Sequence, residues 1–290
     1  MHETIEKLLD GGAVLLDGAW GTELQQRGLA IGACPDAWNL AEPAKVEQIA
    51  RSYVQAGSQV ILTNTFGANR FILARHKLAE KTAEINRNGV EISRRAAADE
   101  ALVFGSIGPS GVMLMMGETG EDELLAAFAE QADAMARAGA DGIAIETMAD
   151  LNEAKLAVAA GRETGLPVVA CMTFDSGPNK DRTMMGTTPE QSAQELTAAG
   201  AEVIGSNCGR GIAGFVEICR RLKAATDRPI WIKANAGLPE VVDGRTVYRQ
   251  TPDEFAQFVP QLIVAGAEFV GGCCGTTPQT ISAVKEILQG

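Results

Sequence analysis

Four stretches decide the fold: Ala56-Gly57-Ser58-Gln59-Val60-Ile61-Leu62, Ala138-Gly139-Ala140-Asp141-Gly142-Ile143-Ala144-Ile145, Ala199-Gly200-Ala201-Glu202-Val203-Ile204-Gly205 and Ala265-Gly266-Ala267-Glu268-Phe269-Val270-Gly271. In each, a glycine closes a helical pattern, where a positive φ is needed, and a short apolar run follows. Seven residues beyond the four glycines stand Asn64, Glu146, Asn207 and Cys273; eight beyond stand Thr65, Thr147, Cys208 and Cys274. Equal offsets along equivalent strands mean equal height, so these eight polar residues are expected together at the strand C-termini.

Working outward, similar runs occur at Val14–Leu16, Val60–Thr63, Val103–Ile107, Gly142–Ile145, Val168–Met172, Val203–Gly205, Ile230–Lys233 and Phe269–Gly271. Most are aliphatic or β-branched without polar alternation, the pattern of parallel strands covered on both faces. Helical patterns lie between them near 43–56, 79–98, 120–138, 151–164 and 213–225. Three more begin at Thr188-Pro189, Thr251-Pro252 and Thr277-Pro278, each an N-cap followed by proline at the first helical position. Eight strands alternating with eight helices predict a (β/α)8 TIM barrel, formed by residues 1–290 as one unit, over an open doubly wound sheet. In such barrels the chemistry sits where the strands end.

Of 290 residues, 46% are hydrophobic and 21% charged, a globular composition. The net charge of −12 argues against nucleic acid or an anionic membrane as a partner. Met1–Lys7 has neither the basic nor the apolar region of a secretory signal, and no apolar run reaches spanning length, so a cytoplasmic location is expected. Six cysteines in a reducing compartment are then buried, catalytic or metal-binding before they are disulfides.

Cys171 lies in an apolar run and Cys219 on an amphipathic helix, and both read as core; Cys34 reads as an incidental thiol. Cys208, Cys273 and Cys274 differ. They share the strand-end height, and glycines flank both segments, Gly205-Ser206-Asn207-Cys208-Gly209 and Gly271-Gly272-Cys273-Cys274-Gly275. A vicinal disulfide would require a strained ring. Three thiolates with an open fourth position are the ligand set of a catalytic zinc, and soft sulfur ligands argue for zinc over magnesium or calcium. Neither histidine competes: His2 is terminal and His76 stands in a basic stretch.

These segments resemble a known family. Asp17-Gly18-Ala19-Trp20-Gly21-Thr22-Glu23, Thr63-Asn64-Thr65-Phe66, Ile145-Glu146-Thr147, Asn207-Cys208 and Gly271-Gly272-Cys273-Cys274-Gly275-Thr276 look like the signature of the homocysteine S-methyltransferases. Within it they look most like the homocysteine-binding module of cobalamin-dependent methionine synthase. The resemblance covers essentially the whole chain. It implies a zinc-dependent barrel with the metal on Cys208, Cys273 and Cys274, and a homocysteine pocket built from Asp17, Gly18, Ala19, Trp20, Thr65, Glu146 and Asn235. Asp17 and Glu146, with nearby backbone amides, are implied to hold the amino-acid end of the substrate. Full methionine synthases carry folate, cobalamin and reactivation modules after this barrel, so a stand-alone enzyme, a split subunit and an excised module are all open.

The chemistry expected is transfer of a methyl group to the thiol of homocysteine, giving methionine. The expected donor is methylcobalamin on a corrinoid protein or module; betaine, S-methylmethionine or S-adenosylmethionine, or another small thiol as acceptor, are alternatives. Two other classes compete: a non-catalytic zinc or thiol carrier within a larger assembly, and a barrel lyase or aldolase using Lys233 as a Schiff base. The Gly108-Pro109-Ser110-Gly111 loop lacks the lysine of a phosphate-binding loop and reads as an open edge that admits a methyl carrier. Val242-Asp243-Gly244-Arg245 predicts a small hairpin over the site or against a partner.

Overall fold

A computed structural model describes residues 1–117, 119–242 and 245–289. The strands are β1 (Val14–Leu15), β2 (Val60–Leu62), β3 (Leu102–Ile107), β4 (Gly142–Met148), β5 (Val168–Met172), β6 (Val203–Gly211), β7 (Ile230–Asn235), β8 (Glu240–Val242), β9 (Arg245–Val247) and β10 (Ala267–Gly272). Eight form one parallel sheet in the order β1-β10-β7-β6-β5-β4-β3-β2. A parallel bridge between Leu16 and Val60 and a bond from the Gln59 N–H to the Leu15 carbonyl (2.8 Å) close it between β1 and β2. The (β/α)8 barrel expected from the strand count is what forms.

All eight predicted strands are present, and two run three or more residues past the ends of their apolar runs. β4 continues to Met148 and β6 to Gly211, with irregular pairing beyond Ile145 and Asn207. The helix expected after Thr251 is two, Pro252–Ala256 and Val259–Val264. Pro260 has no N–H to donate, and its ring clashes with the carbonyl four residues back, at Ala256, where the first helix stops. A short helix, Glu3–Leu9, precedes β1 and is capped by the His2 imidazole, which accepts from the Thr4 N–H (3.2 Å). The hairpin is formed by antiparallel β8 and β9; its turn residues Asp243 and Gly244 lie outside the described residues. Among the described residues no helix is long and apolar enough to cross a membrane.

Side chains alternate in and out along each strand. The outward set packs against the helices; the inward set fills the barrel with Val14, Leu16, Phe104, Val169, Trp231 and Phe269, closed from below by Ile5. Trp231 is the centre of this plug, stacked on Phe104 (6.2 Å between centroids) and Phe269 (5.3 Å). Cys171 belongs to this plug and Cys219 to the helix layer, both buried as expected. Two residues above the plug the inward positions turn polar: Ser106 above Phe104, Glu146 above Ala144, Lys233 above Trp231. The polar floor of the site is thus the next turn of the same alternation.

Candidate metal centre

Cys208, Cys273 and Cys274 come together at the strand C-termini. Their sulfurs lie within 4.8 Å of one another, and those of Cys208 and Cys274 are 3.9 Å apart. Tetrahedral zinc with bonds of about 2.3 Å sets its sulfurs about 3.8 Å apart.

Local backbone chemistry makes the convergence. Cys208 has φ 61° and Gly209 φ 76°, two left-handed residues in succession that bend the end of β6. Cys273 donates its N–H to the Ala234 carbonyl (2.7 Å) and the Cys274 carbonyl accepts from the Ala236 N–H (3.0 Å), so the cysteine pair is pinned to the end of β7. Thr276 folds back, its hydroxyl donating to the Cys273 carbonyl (2.8 Å) and accepting from the Ala19 N–H (3.1 Å). Glycine is required at 272, where a Cβ would stand 2.2 Å from that hydroxyl oxygen.

The protonation of the cluster is uneven. Hydrogen bonds from the Cys273 and Cys274 thiols hold Cys208 down at about 3, so it carries the negative charge. Hydrogen bonding to Cys208 pushes the other two up: Cys273 well above the ordinary thiol range and Cys274 to about 11. Three sulfurs this close do not all ionise without a cation between them, and the donor set fits zinc or another thiophilic metal. The Asn235 side chain donates a hydrogen bond that helps hold Cys208 ionised, and its buried Oδ1 has no hydrogen-bond partner among the described residues.

Asn207 ties the cluster to the polar floor. Its Nδ2 donates to Thr147 Oγ1 (2.7 Å), faces Glu146 Oε2 at 3.3 Å and reaches Cys273 Sγ at 3.8 Å, while its Oδ1 accepts from the Thr147 N–H (2.7 Å). This clamp holds Thr147 at φ 62°, a strained conformation for a β-branched residue. The repeat placed Asn207 at the right height but gave it no role. Tyr248, just past β9, was also missed: its ring lies against Gly275, where a Cβ would stand 2.1 Å from Cγ, and so borders the cysteine turn.

The predicted substrate residues divide by accessibility. Glu146 is partly open to solvent and accepts from the Ser106 hydroxyl (2.5 Å). Burial pushes its carboxyl up, against the opposing pull of the Lys233 charge and the Ser106 bond. Trp20 is also partly open. Asp17 is 0% exposed: Oδ1 pairs with Lys233 Nζ at 2.5 Å, and Oδ2 accepts from the Trp20 indole and the Leu62 N–H, both at 2.8 Å. Thr65 is buried, its hydroxyl bonded to Thr63 (2.6 Å) and to the Ser106 carbonyl (2.8 Å). Gly18 is needed where it stands, since a Cβ would meet Tyr53 and Thr276 at 2.8 Å. Ala19 is fixed from both sides, its carbonyl accepting from the Tyr53 hydroxyl (2.6 Å). Lys233 is 2% exposed; burial lowers its pKa, but the Asp17 and Glu146 charges outweigh this and leave it raised. A charged, ion-paired ammonium is no nucleophile, which removes the basis of the Schiff-base alternative.

The chain is similar to known proteins along nearly its whole length. The family model described as homocysteine S-methyltransferase matches residues 14–288. The methionine synthase of Mycobacterium tuberculosis is 32% identical over 92% of the chain, and the chain spans only 24% of that protein's length. Betaine–homocysteine S-methyltransferase 1 of Danio rerio is 28% identical over 98% of the chain and 75% of its own. The crystal structure of the homocysteine methyltransferase MmuM from Escherichia coli in its metallated form superposes with a TM-score of 0.82 at 25% identity, covering 98% of this chain and 99% of that one.

Proposed function

The chain belongs to the homocysteine S-methyltransferase family, and from that premise we propose that it methylates the thiol of homocysteine to give methionine, at a zinc ion held by Cys208, Cys273 and Cys274. The observation that carries the reading is the convergence of three sulfurs from two strand ends to within 4.8 Å.

A free alkyl thiol has a pKa near 8.5 or above and is mostly protonated at neutral pH, yet only the thiolate is a good nucleophile. Zinc, when bound, supplies the Lewis acidity that keeps the acceptor sulfur ionised. The chain's own residues do the rest. Asn207 orients Cys273 and Glu146 together, and Glu146 faces the space above the plug as the acid that receives the substrate ammonium. The acceptor sulfur forms its bond to the methyl carbon as the bond from that carbon to the donor breaks, with the donor leaving in line on the far side.

The proposed donor is methylcobalamin on a partner protein or module, as the likeness to methionine synthase favours. The loops around the mouth support a broad apolar carrier: Phe66, Met113, Met116, Met184 and Leu238 are exposed there. The test is to load the protein with zinc, add homocysteine with methylcobalamin, betaine, S-methylmethionine or S-adenosylmethionine in turn, and measure methionine. Turnover with one donor is expected; zinc and homocysteine bound without turnover from any donor would favour a non-catalytic carrier.

Proton release gives a second check. At neutral pH Cys208, held at about 3, has already lost its proton, while Cys274, at about 11, and Cys273, higher than an ordinary thiol, have not. Zinc loading is therefore expected to release two protons. Protons compete with the metal, so the apparent affinity falls as pH falls, about a hundredfold per unit near neutrality. Competition with a chromophoric chelator at several pH values measures the slope; a slope of three protons, or of none, contradicts the assignment of the first charge to Cys208.

A further inference from the structure

Each of the three clustered sulfurs has its own neutral donor, brought from a different part of the fold. Asn207, on β6, places its Nδ2 3.8 Å from Cys273 Sγ. Asn235, at the end of β7, donates from its side chain to Cys208, as does the Gly209 N–H. Tyr248, just past β9, donates its hydroxyl to Cys274. The backbone on both sides of Tyr248 is fixed. Val247 pairs with Glu240 across the hairpin, Arg249 Nε bonds Glu240 Oε2 (2.5 Å), and the Gln250 N–H reaches the Ala236 carbonyl (3.3 Å). Ala236 in turn donates its N–H to the Cys274 carbonyl (3.0 Å), so the hairpin base and the cysteine turn share one anchor. The tyrosine ring lies on Gly275, in the space that any side chain there would fill.

These donors answer a difficulty that the proposed chemistry creates. Zinc with homocysteine bound would carry four thiolates, and each is a nucleophile towards a methyl group. In the metal-free cluster the sulfurs share their own protons. Once ionised on a metal they have none to share, and donors from outside the cluster are what remains. A hydrogen bond to a thiolate engages the electron pair that would form the sulfur–carbon bond, and so lowers its reactivity. We propose that Tyr248 is a selectivity-determining residue, whose hydroxyl on Cys274 keeps that ligand from taking the methyl group and leaves the acceptor thiol as the sulfur that reacts. In the reaction avoided, Cys274 Sγ would form the bond to the methyl carbon and the donor would leave with the bonding pair. The inference rests on the zinc and homocysteine reading and deepens it. Tyr248 acts through Cys274 and is a positioning residue. Asn207 also serves Thr147 and Glu146, whereas the Tyr248 hydroxyl can be removed alone with the ring left on Gly275.

The experiment treats zinc-loaded wild type and Tyr248→Phe with iodoacetamide, without homocysteine, and follows each cysteine by peptide mass spectrometry. The attacking sulfur bonds to the probe's carbon and iodide leaves. In Tyr248→Phe, Cys274 is expected to react about tenfold faster, part of what a hydrogen bond to a charged group is worth, while Cys208 and Cys273 stay within about twofold of the wild type. Cobalt in place of zinc gives a second readout. The sulfur-to-metal charge-transfer band of Tyr248→Phe is expected at longer wavelength, because the freed sulfur holds its electrons less tightly. With metal bound, an unchanged rate at Cys274 or an unshifted band overturns the proposal and leaves the zinc reading standing. An equal rise at Cys273 and Cys274 also overturns it, since that marks a loosened turn and a packing role for the residue. A wild type that takes up no zinc, on metal analysis made before the probe is added, overturns the zinc reading and the proposal with it.

Discussion

Replacing Cys208 by alanine is expected to abolish stoichiometric zinc and, with it, methyl transfer. Structural zinc sites with four ligands are worth about 10–16 kcal/mol, so one ligand is worth roughly 3 kcal/mol, on the order of a hundredfold in affinity. Cys208 should exceed that share. It is the one thiol already ionised in the metal-free cluster, at about 3, and it comes from β6, whereas Cys273 and Cys274 are neighbours on a single turn after β10. Without it the metal-free cluster loses its ionised thiol and the only one of the three sulfurs that comes from β6. Turnover should fall further than affinity, on the order of a thousandfold or more, because the acceptor thiolate also needs the excess negative charge of three cysteinates to remain reactive. Metal analysis after dialysis measures the first effect and methionine formation the second. Cys219→Ala is the control: that sulfur is buried between helices, bonded to the Leu262 carbonyl, and should keep one zinc per chain. Retention of one zinc by the Cys208 variant would sink the assignment.

The repeat of alanine–glycine helix ends carried the barrel, because a helix that stops at a left-handed glycine and feeds an apolar run is a local event written in adjacent residues. The height of the three cysteines followed from counting along those runs. What the sequence concealed is pairing across the barrel. Nothing near residue 17 announces that its carboxylate meets Lys233, 216 positions away. Asn207 likewise read as one polar strand-end residue among eight, although its amide links Glu146, Thr147 and Cys273. Such contacts depend on which inward side chains share a layer, and that is set by strand register. The extra length of β4 and β6 was hidden for another reason: it contains left-handed Thr147 and Cys208, which no strand propensity predicts.

Register is also what makes Trp231 the residue on which the barrel depends most, and its replacement by alanine is expected to destabilise the fold by about 3–5 kcal/mol, the range for emptying a large aromatic site. The argument begins with Gly205. It pairs with Trp231 across β6 and β7, and a Cβ placed on it would stand 2.4 Å from the Trp231 carbonyl oxygen, 2.6 Å from Cys171 Sγ and 2.9 Å from the Trp231 Cβ. The glycine thus vacates volume on one strand that the indole occupies from the next. Trp231 is 1% exposed and stacks between Phe104 and Phe269, so it spans the plug from β3 to β10. Alanine would leave a void that rigid strands cannot collapse into, whereas phenylalanine keeps part of the stack and should lose less. For a chain of this size, each kcal/mol moves the thermal midpoint by roughly 2–4 °C, so a drop of about ten degrees is expected. The consequence reaches the site, because Lys233 lies two residues further along the same strand, directly above the indole. A loosened plug should therefore weaken zinc retention in the folded protein as well as lower its midpoint. Thermal and urea unfolding of Trp231→Ala and Trp231→Phe, each with metal analysis below the transition, measure both effects. A loss under about 1 kcal/mol for alanine would mean that the barrel closes around the void, and the plug would then not be what sets the height of the polar floor.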